Sequence, residues 1–440
     1  MKGAATASSE PSLLRAIGVL GLAAAIVNVT VGGGIFRLPA DVGRSLGAAA
    51  PLAYLVCAVA MGLIVLCFAE AGSRVDLTGG PYAYVETAFG AFPGFLVGVL
   101  LWILGTLAVA AVSVVFASNA GQLAPALRTR LGSALLLVVV FAVLSAVNIA
   151  GVRQGTALNG VATVAKLLPL LLLVGAGPFF VEPAHLVWVE APSAAAVSRT
   201  SMLLLFAFCG VESALTPSGE VKDTARTVPR AIFMAMVGIT VLYLGLQLVA
   251  QGVLGPELGA AETPLADAAG RMFGPGGRTL VLIGATVSMF GYVSGMTLAV
   301  PRALFAFARD GFLPRPLASV HPRFHTPHVA IAVQSAIACA FAVTGTFEKL
   351  AILAILATLV LYGACCLAAW RLRHLDVRAG GVPFRLPATG AAPPAACLVI
   401  LWMLTGVRRE EWAALALVLV VASAVFLLTS SSRAARRKRG

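Results

Sequence analysis

Charged side chains are scarce in this chain of 440 residues. Asp, Glu, Lys and Arg together make up 11% of it, against roughly 25% in an ordinary soluble domain. Apolar residues make up 60%, and the mean hydropathy is +0.96. So little polar surface cannot cover a core that apolar in water, and the bilayer is the solvent that fits. The charge that is present is lopsided, at a formal +13. The basic residues sit in short segments between apolar runs, which is the pattern of topology determinants at a membrane surface and not of nucleic-acid binding. Cys57, Cys67, Cys209, Cys339, Cys365, Cys366 and Cys397 all lie in apolar runs, with neither zinc spacing nor a disulfide framework. They read as small buried apolar residues. Pro322 and Pro327 interrupt His321, His325 and His328, so helical i, i+4, i+7 ligand geometry fails. No metal and no cofactor is expected.

What is abundant is long apolar runs. Twelve are long enough to cross ~30 Å of hydrocarbon: 16–38, 48–71, 93–118, 133–150, 157–180, 200–219, 229–253, 277–307, 328–346, 348–370, 391–406 and 411–429. Runs nine and ten are separated by little more than Glu348–Lys349, and run eleven is short and holds Pro393 and Pro394, so eleven is the alternative count. Met1 to Ser12 is small and polar, and the first run continues past a signal-peptide length without a small-residue cleavage pattern. It is expected to stay as the first span. With the N-terminus inside, Lys and Arg favour the inside segments about two to one, which puts both termini in the cytoplasm. The tail Arg433–Arg439 is then an anchor near anionic headgroups. No soluble domain and no long linker is evident.

Two runs are poor helices at their centres. The first reads Asn28-Val29-Thr30-Val31-Gly32-Gly33-Gly34-Ile35-Phe36. Each glycine costs about 1 kcal/mol relative to Ala in a helix, and without Cβ atoms the stretch can unwind around a ligand. The sixth reads Phe206-Ala207-Phe208-Cys209-Gly210-Val211-Glu212-Ser213-Ala214-Leu215-Thr216-Pro217, a glycine, a buried acid and then a helix-breaking proline. Unwound backbone at membrane depth is tolerated only inside protein or along a cavity. Interrupted runs in corresponding places of two halves point to a transport site. First and sixth positions suggest an inverted five-plus-five repeat with two appended helices. The division is then a tail 1–15, a first repeat 16–180, a second repeat 200–370, two helices within 391–429 and a basic tail 430–440. Free N–H groups at a half-helix N-terminus favour a carboxylate, and free carbonyls at a C-terminus favour an ammonium. Together they suit an α-amino acid without any charged side chain. For the glycines taken alone, close helix–helix packing is the competing explanation.

Ionisable groups inside a membrane are functional candidates by default. Lys166 lies near the middle of run five and Glu212 well inside run six. An ammonium at Lys166 can take the place of a coordinated sodium, bridging the opened carbonyls of run one to run eight. Burial disfavours the charged form of an ionisable group, so proton release would loosen that bridge and couple protons to transport. The alternative is a lysine permanently bonded to carbonyls. Glu212 is either a proton-sensitive residue beside the site or a static acceptor holding the break open.

In order and spacing, several motifs together resemble the amino acid–polyamine–organocation (APC) superfamily of permeases over roughly runs one to ten. They are Gly32-Gly33-Gly34-Ile35-Phe36 with Leu38-Pro39, Leu77-Thr78-Gly79-Gly80-Pro81-Tyr82-Ala83-Tyr84, and the run-six segment. After these come Gly219-Glu220-Val221-Lys222-Asp223, Val228-Pro229-Arg230-Ala231-Ile232, Arg302, Ala308-Arg309-Asp310-Gly311 with Pro314, and Thr326-Pro327. The resemblance implies an all-α integral membrane protein of about twelve transmembrane helices with a LeuT-like fold. It implies alternating access around spans one and six, with substrate held by the backbone of Thr30, Val31, Gly32, Gly33 and Gly34 and of Phe206, Ala207, Phe208, Cys209 and Gly210. Lys166 matches the lysine that replaces a sodium in several members, and Glu212 the acid after the break in the basic amino acid exchangers. Two departures matter. The middle glycine is often Ser in relatives, and the aromatic that the basic amino acid exchangers carry in span eight falls on Met296. Spans three, eight and ten also lack a deep acid to pair a cationic side chain. Their polar groups are neutral: Thr106, Ser113, Thr286, Ser288, Tyr292, Thr297, Thr358 and Tyr362. The expectation is therefore a neutral, apolar amino acid carried by a secondary transporter of the cell membrane, proton-coupled or exchanging. An exporter, a polyamine or organocation carrier and a non-transporting nutrient sensor are the alternatives. An enzyme is not expected, because no HExxH, no GxSxG and no acid pair at span centres is present.

Overall fold

The computed structural model describes residues 18–75, 80–151, 156–188, 190–210, 224–378, 383–384 and 390–437. Among these the regular structure is helical throughout. The first run is broken where its glycines stand: α1 (Val19–Thr30) ends as Val31 leaves helical geometry at ψ 81°, and α2 begins at Gly34. α2 (Gly34–Leu46) runs further than expected, so Arg37 and Arg44 are helical residues. α3 (Ala50–Arg74) follows after a 3-10 turn. The Gly80-Pro81 motif proves to start a short helix, α4 (Pro81–Phe89), in which proline takes the first position, where its missing N–H costs nothing. α5 (Ala91–Leu123), α6 (Arg130–Ile149), α7 (Thr156–Ala176) and α8 (Ala194–Phe208) come next. α6 and α8 are capped by Thr129 and Ser193, whose hydroxyls accept the N–H of Gly132 and of Ala196.

The second half continues with α9 (Thr224–Leu254) and α10 (Pro264–Ala299), the latter bent at Gly274 where φ is 70°. α11 (Pro301–Arg309), α12 (His328–Thr344) and α13 (Phe347–His374) follow. Runs nine and ten are thus separate helices, parted at Gly345–Thr346 with the Thr346 hydroxyl accepting the N–H of Lys349. The chain closes with α14 (Ala392–Leu404) and α15 (Arg409–Arg437). Pro393 and Pro394 fall in the first turn of α14, where proline is tolerated, so run eleven stays intact. The residues 211–223, with Glu212 and Pro217, lie outside the described residues. The sixth run stops being helical at Cys209, ahead of that proline.

Among the described residues, 7 helical stretches are long and apolar enough to cross a membrane, and shorter apolar helices include α1, α8, α12 and α14. Leu131, Val241, Leu401 and Leu428 are exposed on the outside of the bundle, as lipid-facing side chains must be. Inside, α5 packs along α13 and α10. Close approach of α5 to α11 uses a small residue, since a Cβ on Gly98 would meet the Phe307 ring at 3.3 Å.

Two polar clusters tie the two ends of α3, about 37 Å apart along its axis. At its C-terminal end, buried Glu70 accepts from Arg74 at 3.1 Å and from Arg373 of α13. Arg74 is fully buried and also donates to the carbonyl of Val377. At the other end, Arg37 of α2 donates to the carbonyls of Ala261 and Glu262 at 3.1 and 3.0 Å, and Arg44 to that of Gly259 at 2.8 Å. Asp41 stands between the two arginines.

Candidate functional site

The two breaks lie against each other. Gly210 has φ 123°, a conformation that side chains resist. A Cβ there would meet Val29 Cγ1 at 3.0 Å and the Thr30 backbone at 3.3 Å. One hydroxyl pins both ends: Tyr243 of α9, fully buried, reaches the carbonyl of Thr30 at 3.1 Å and that of Ala207 at 3.0 Å. Its single proton is shared between the last turns of α1 and α8. Phe208 packs edge-on against the Tyr243 ring at 5.2 Å.

Beside the breaks is a cavity of about 410 Å³. Thr30, Gly32, Gly33, Gly34, Phe206, Ala207, Cys209 and Gly210 form one wall. Trp102, Gly105, Ala108 and Val112 of α5 and Tyr292 and Met296 of α10 form the other, with Pro81, Val300 and Ala303 at the far end. Among the described residues, no charged side chain lines it. The glycines bring the walls together: a Cβ on Gly33 would stand 2.7 Å from Val112 Cγ1 and 3.2 Å from Met289 Cγ, and one on Gly34 would meet Phe206 at 3.0 Å. Phe206 in turn packs edge-on against Phe347, at the start of α13, at 5.7 Å. Chemically, the wall combines the first-turn N–H groups of α2 with the last carbonyls of α1 and α8, so it can favour an anionic and a cationic group at once.

Of the expected substrate residues, nine line this cavity, Met296 among them. Val31 and Phe208 do not, and both are fully buried elsewhere. Lys166 is buried on α7 and its Nζ donates to the carbonyl of Asn28 in the last turn of α1. Glu212 is not among the described residues. Of the neutral polar groups in spans three, eight and ten, Tyr292 reaches the cavity. Thr106, Ser113, Thr286, Thr297 and Thr358 instead give their hydroxyl protons to carbonyls one turn back in their own helices. His321 Nδ1 accepts the N–H groups of Arg323 and Phe324, so it organises a turn.

Two groups escaped the sequence analysis. Tyr243 carries no motif of its own, although Tyr243, Gln247 and Gln251 make a polar stripe at i, i+4, i+8 in an apolar run. Tyr54 donates to Gln247 Oε1 at 3.0 Å on that same stripe. Trp102 and its partner Gln334 were also unmarked, and their link joins α5 to α12 across 232 positions.

Known proteins agree with this architecture. The family model described as "Amino acid permease" matches residues 17–427. The serine/threonine exchanger SteT of Bacillus subtilis is 29% identical over 391 residues, covering 86% of this chain and 88% of its own length. From the same organism, the branched-chain amino acid permease BcaP is 26% identical over 347 residues, 74% of each chain. The methylthioribose transporter, also of Bacillus subtilis, is 24% identical over 422 residues, 92% of this chain and 91% of its own. With that match over most of its length and its apolar helical bundle, the chain belongs to the amino acid permease family of the APC superfamily, as a multi-pass membrane transporter.

Proposed function

We propose that this protein is a secondary active transporter of neutral, mainly apolar amino acids, holding substrate between the breaks that follow α1 and α8. The observation that carries the proposal is the cavity itself: helix ends of both polarities meet there beside walls to which the described residues bring no charged side chain. The α-carboxylate is held at the α2 N-terminus and the α-ammonium at the carbonyls of α1 and α8. The side chain lies against Phe206, Tyr292 and Met296. Similarity to a serine/threonine exchanger and to a branched-chain permease supports a neutral substrate.

The mechanism proposed is alternating access. The twelve apolar runs are twelve crossings, with 16–180 and 200–370 as inverted repeats, 391–429 as two further helices, and both tails in the cytoplasm of a cell membrane. The cavity lies toward the end of α5 that carries Trp102 and the start of α4, so it opens to the cytoplasmic side. The Arg37 and Arg44 contacts close the other side. Lys166, bonded to Asn28, occupies the place of a coupling cation and links protonation to the tilt of α1, and Glu212, which follows the break in the sixth run, is the proton-sensitive residue of the substrate site.

A second reading has one observation in its favour. The methylthioribose transporter aligns over nearly the whole chain, so an uncharged organic solute other than an amino acid suits the same apolar walls. Counterflow in proteoliposomes decides between them, using labelled amino acids and methylthioribose at varied pH, with Lys166→Ala beside wild type. Saturable exchange of leucine or alanine well above lysine or arginine is expected. Preference for the cationic amino acids sinks the neutral-substrate proposal, and flux of methylthioribose alone establishes the second reading.

A further inference from the structure

Gln334 is a polar side chain in an apolar place. It sits on α12 and is 2% exposed, on a helix that packs against α5 and α6 away from the cavity. An unpaired amide in such surroundings costs several kcal/mol. Here the amide oxygen and the amide nitrogen are both paired. Trp102 Nε1 donates to Gln334 Oε1 at 2.6 Å, and Gln334 Nε2 donates to Thr106 Oγ1 at 2.9 Å. The Thr106 hydroxyl gives its own proton to the carbonyl of Trp102 at 2.8 Å. The three bonds close a ring that runs from the indole through the amide and the hydroxyl back to the Trp102 backbone. That ring fixes the amide's orientation, because the flipped form would oppose two donors at the indole.

Trp102 lines the cavity and Gln334 does not. Ten residues of α5 separate Trp102 from Val112, the residue that a Cβ on Gly33 would strike. That is about 15 Å of rise, so the indole stands well below the breaks, near Pro81, Val300 and Ala303. One turn above it, Gly105 lets α5 close on α10, since a Cβ there would lie 2.9 Å from Val300 Cγ2. The indole is the largest of the side chains that α5 puts on the cavity wall.

We infer that Gln334 is a positioning residue that pins the Trp102 indole against the wall, and that the pair sets the largest side chain the cavity accepts. This rests on the proposal that the cavity is the substrate site. An indole that loses its buried acceptor turns its N–H toward the water of the cavity and narrows it.

The variants therefore act in opposite directions. Gln334→Leu is expected to lower kcat/KM for leucine or phenylalanine relative to alanine by at least about tenfold, the scale on which pockets sort side-chain size. Trp102→Ala raises the same ratio, and adding Gln334→Leu to it changes nothing further. Gln334→Glu keeps the acceptor for the indole and retains most of the wild-type ratio. A readout independent of substrate comes from a protein in which Trp188, Trp370, Trp402 and Trp412 are replaced by Phe. There Gln334→Leu shifts Trp102 emission to the red and raises its quenching by acrylamide. An equal loss for all amino acids, or an unchanged emission, overturns the inference. Wild type without flux of any amino acid sinks the transport proposal instead, and the emission shift then decides the pin by itself.

Discussion

Replacing Tyr243 by phenylalanine removes one oxygen and leaves the ring in place. The edge-on packing against Phe208 at 5.2 Å survives, so the change reads the hydroxyl alone. That hydroxyl reaches two carbonyls, Thr30 at 3.1 Å and Ala207 at 3.0 Å, but it has one proton to give. The loss is therefore that of one hydrogen bond, not two, together with the cost of an acceptor left short of a donor at Ala207, since the Thr30 carbonyl keeps the N–H of Gly32 at 2.8 Å. The bond is worth about 1 kcal/mol and the orphaned acceptor costs about 1–3 kcal/mol. If both carbonyls also face the substrate ammonium, their drift is felt in binding, and about 1–3 kcal/mol corresponds to roughly 5- to 150-fold in affinity. The assay is equilibrium binding of a labelled neutral amino acid to purified protein, alongside its melting temperature. A Kd raised within that range, with modest loss of melting temperature, is expected. An unchanged Kd with a lowered melting temperature would refute the reasoning, because the hydroxyl would then serve only the fold.

Other perturbations have definite outcomes. Lys166→Ala should flatten the pH dependence of net uptake while leaving counterflow measurable, since the buried ammonium bonded to the Asn28 carbonyl is gone; a pH profile that stays like wild type contradicts the coupling role. Gly210→Ala meets both a left-handed φ of 123° and the Thr30 backbone at 3.3 Å, and the conformation alone costs about 1–2 kcal/mol; transport falling less than about threefold would show that the two breaks do not need this contact. Arg37→Ala severs the bonds to Ala261 and Glu262, so a cysteine placed on the cavity wall should react faster with a membrane-impermeant thiol reagent added from outside; slower reaction counts against the closed outer side.

The broken first helix was legible because three consecutive glycines act locally. Their conformational freedom and lack of Cβ do not depend on what packs around them, and α1 ends within a residue of where they begin. The neutrality of the cavity among the described residues follows from local sequence too, since spans three, eight and ten carry no deep acid to place on its wall. What was not legible depends on partners distant in sequence. Nothing around Trp102 announces Gln334, and nothing around Tyr243 announces Thr30, 213 positions away. The sequence marks the five hydroxyls in spans three, eight and ten only as neutral polar groups. They turned back on their own helices because an unpaired hydroxyl in hydrocarbon finds the carbonyl one turn back first. Val31 and Phe208 belonged to the right segments but point away from the cavity, a matter of rotation about the helix axis that a motif does not specify.

The cluster at the end of α3 also sets an order for biogenesis. Glu70 and Arg74 are one helical turn apart and neutralise each other within a single segment, so that segment can enter the bilayer before the rest of the protein exists. Arg373 follows 303 positions later. It arrives at a carboxylate already desolvated and already paired, and docking it there is one of the last acts of assembly. A chain altered at Arg373 still threads its early helices, whereas one altered at Arg74 carries an uncompensated acid from α3 until Arg373 arrives. Removing one partner of a buried ion pair costs about 3–5 kcal/mol. The two defects meet quality control at opposite ends of synthesis.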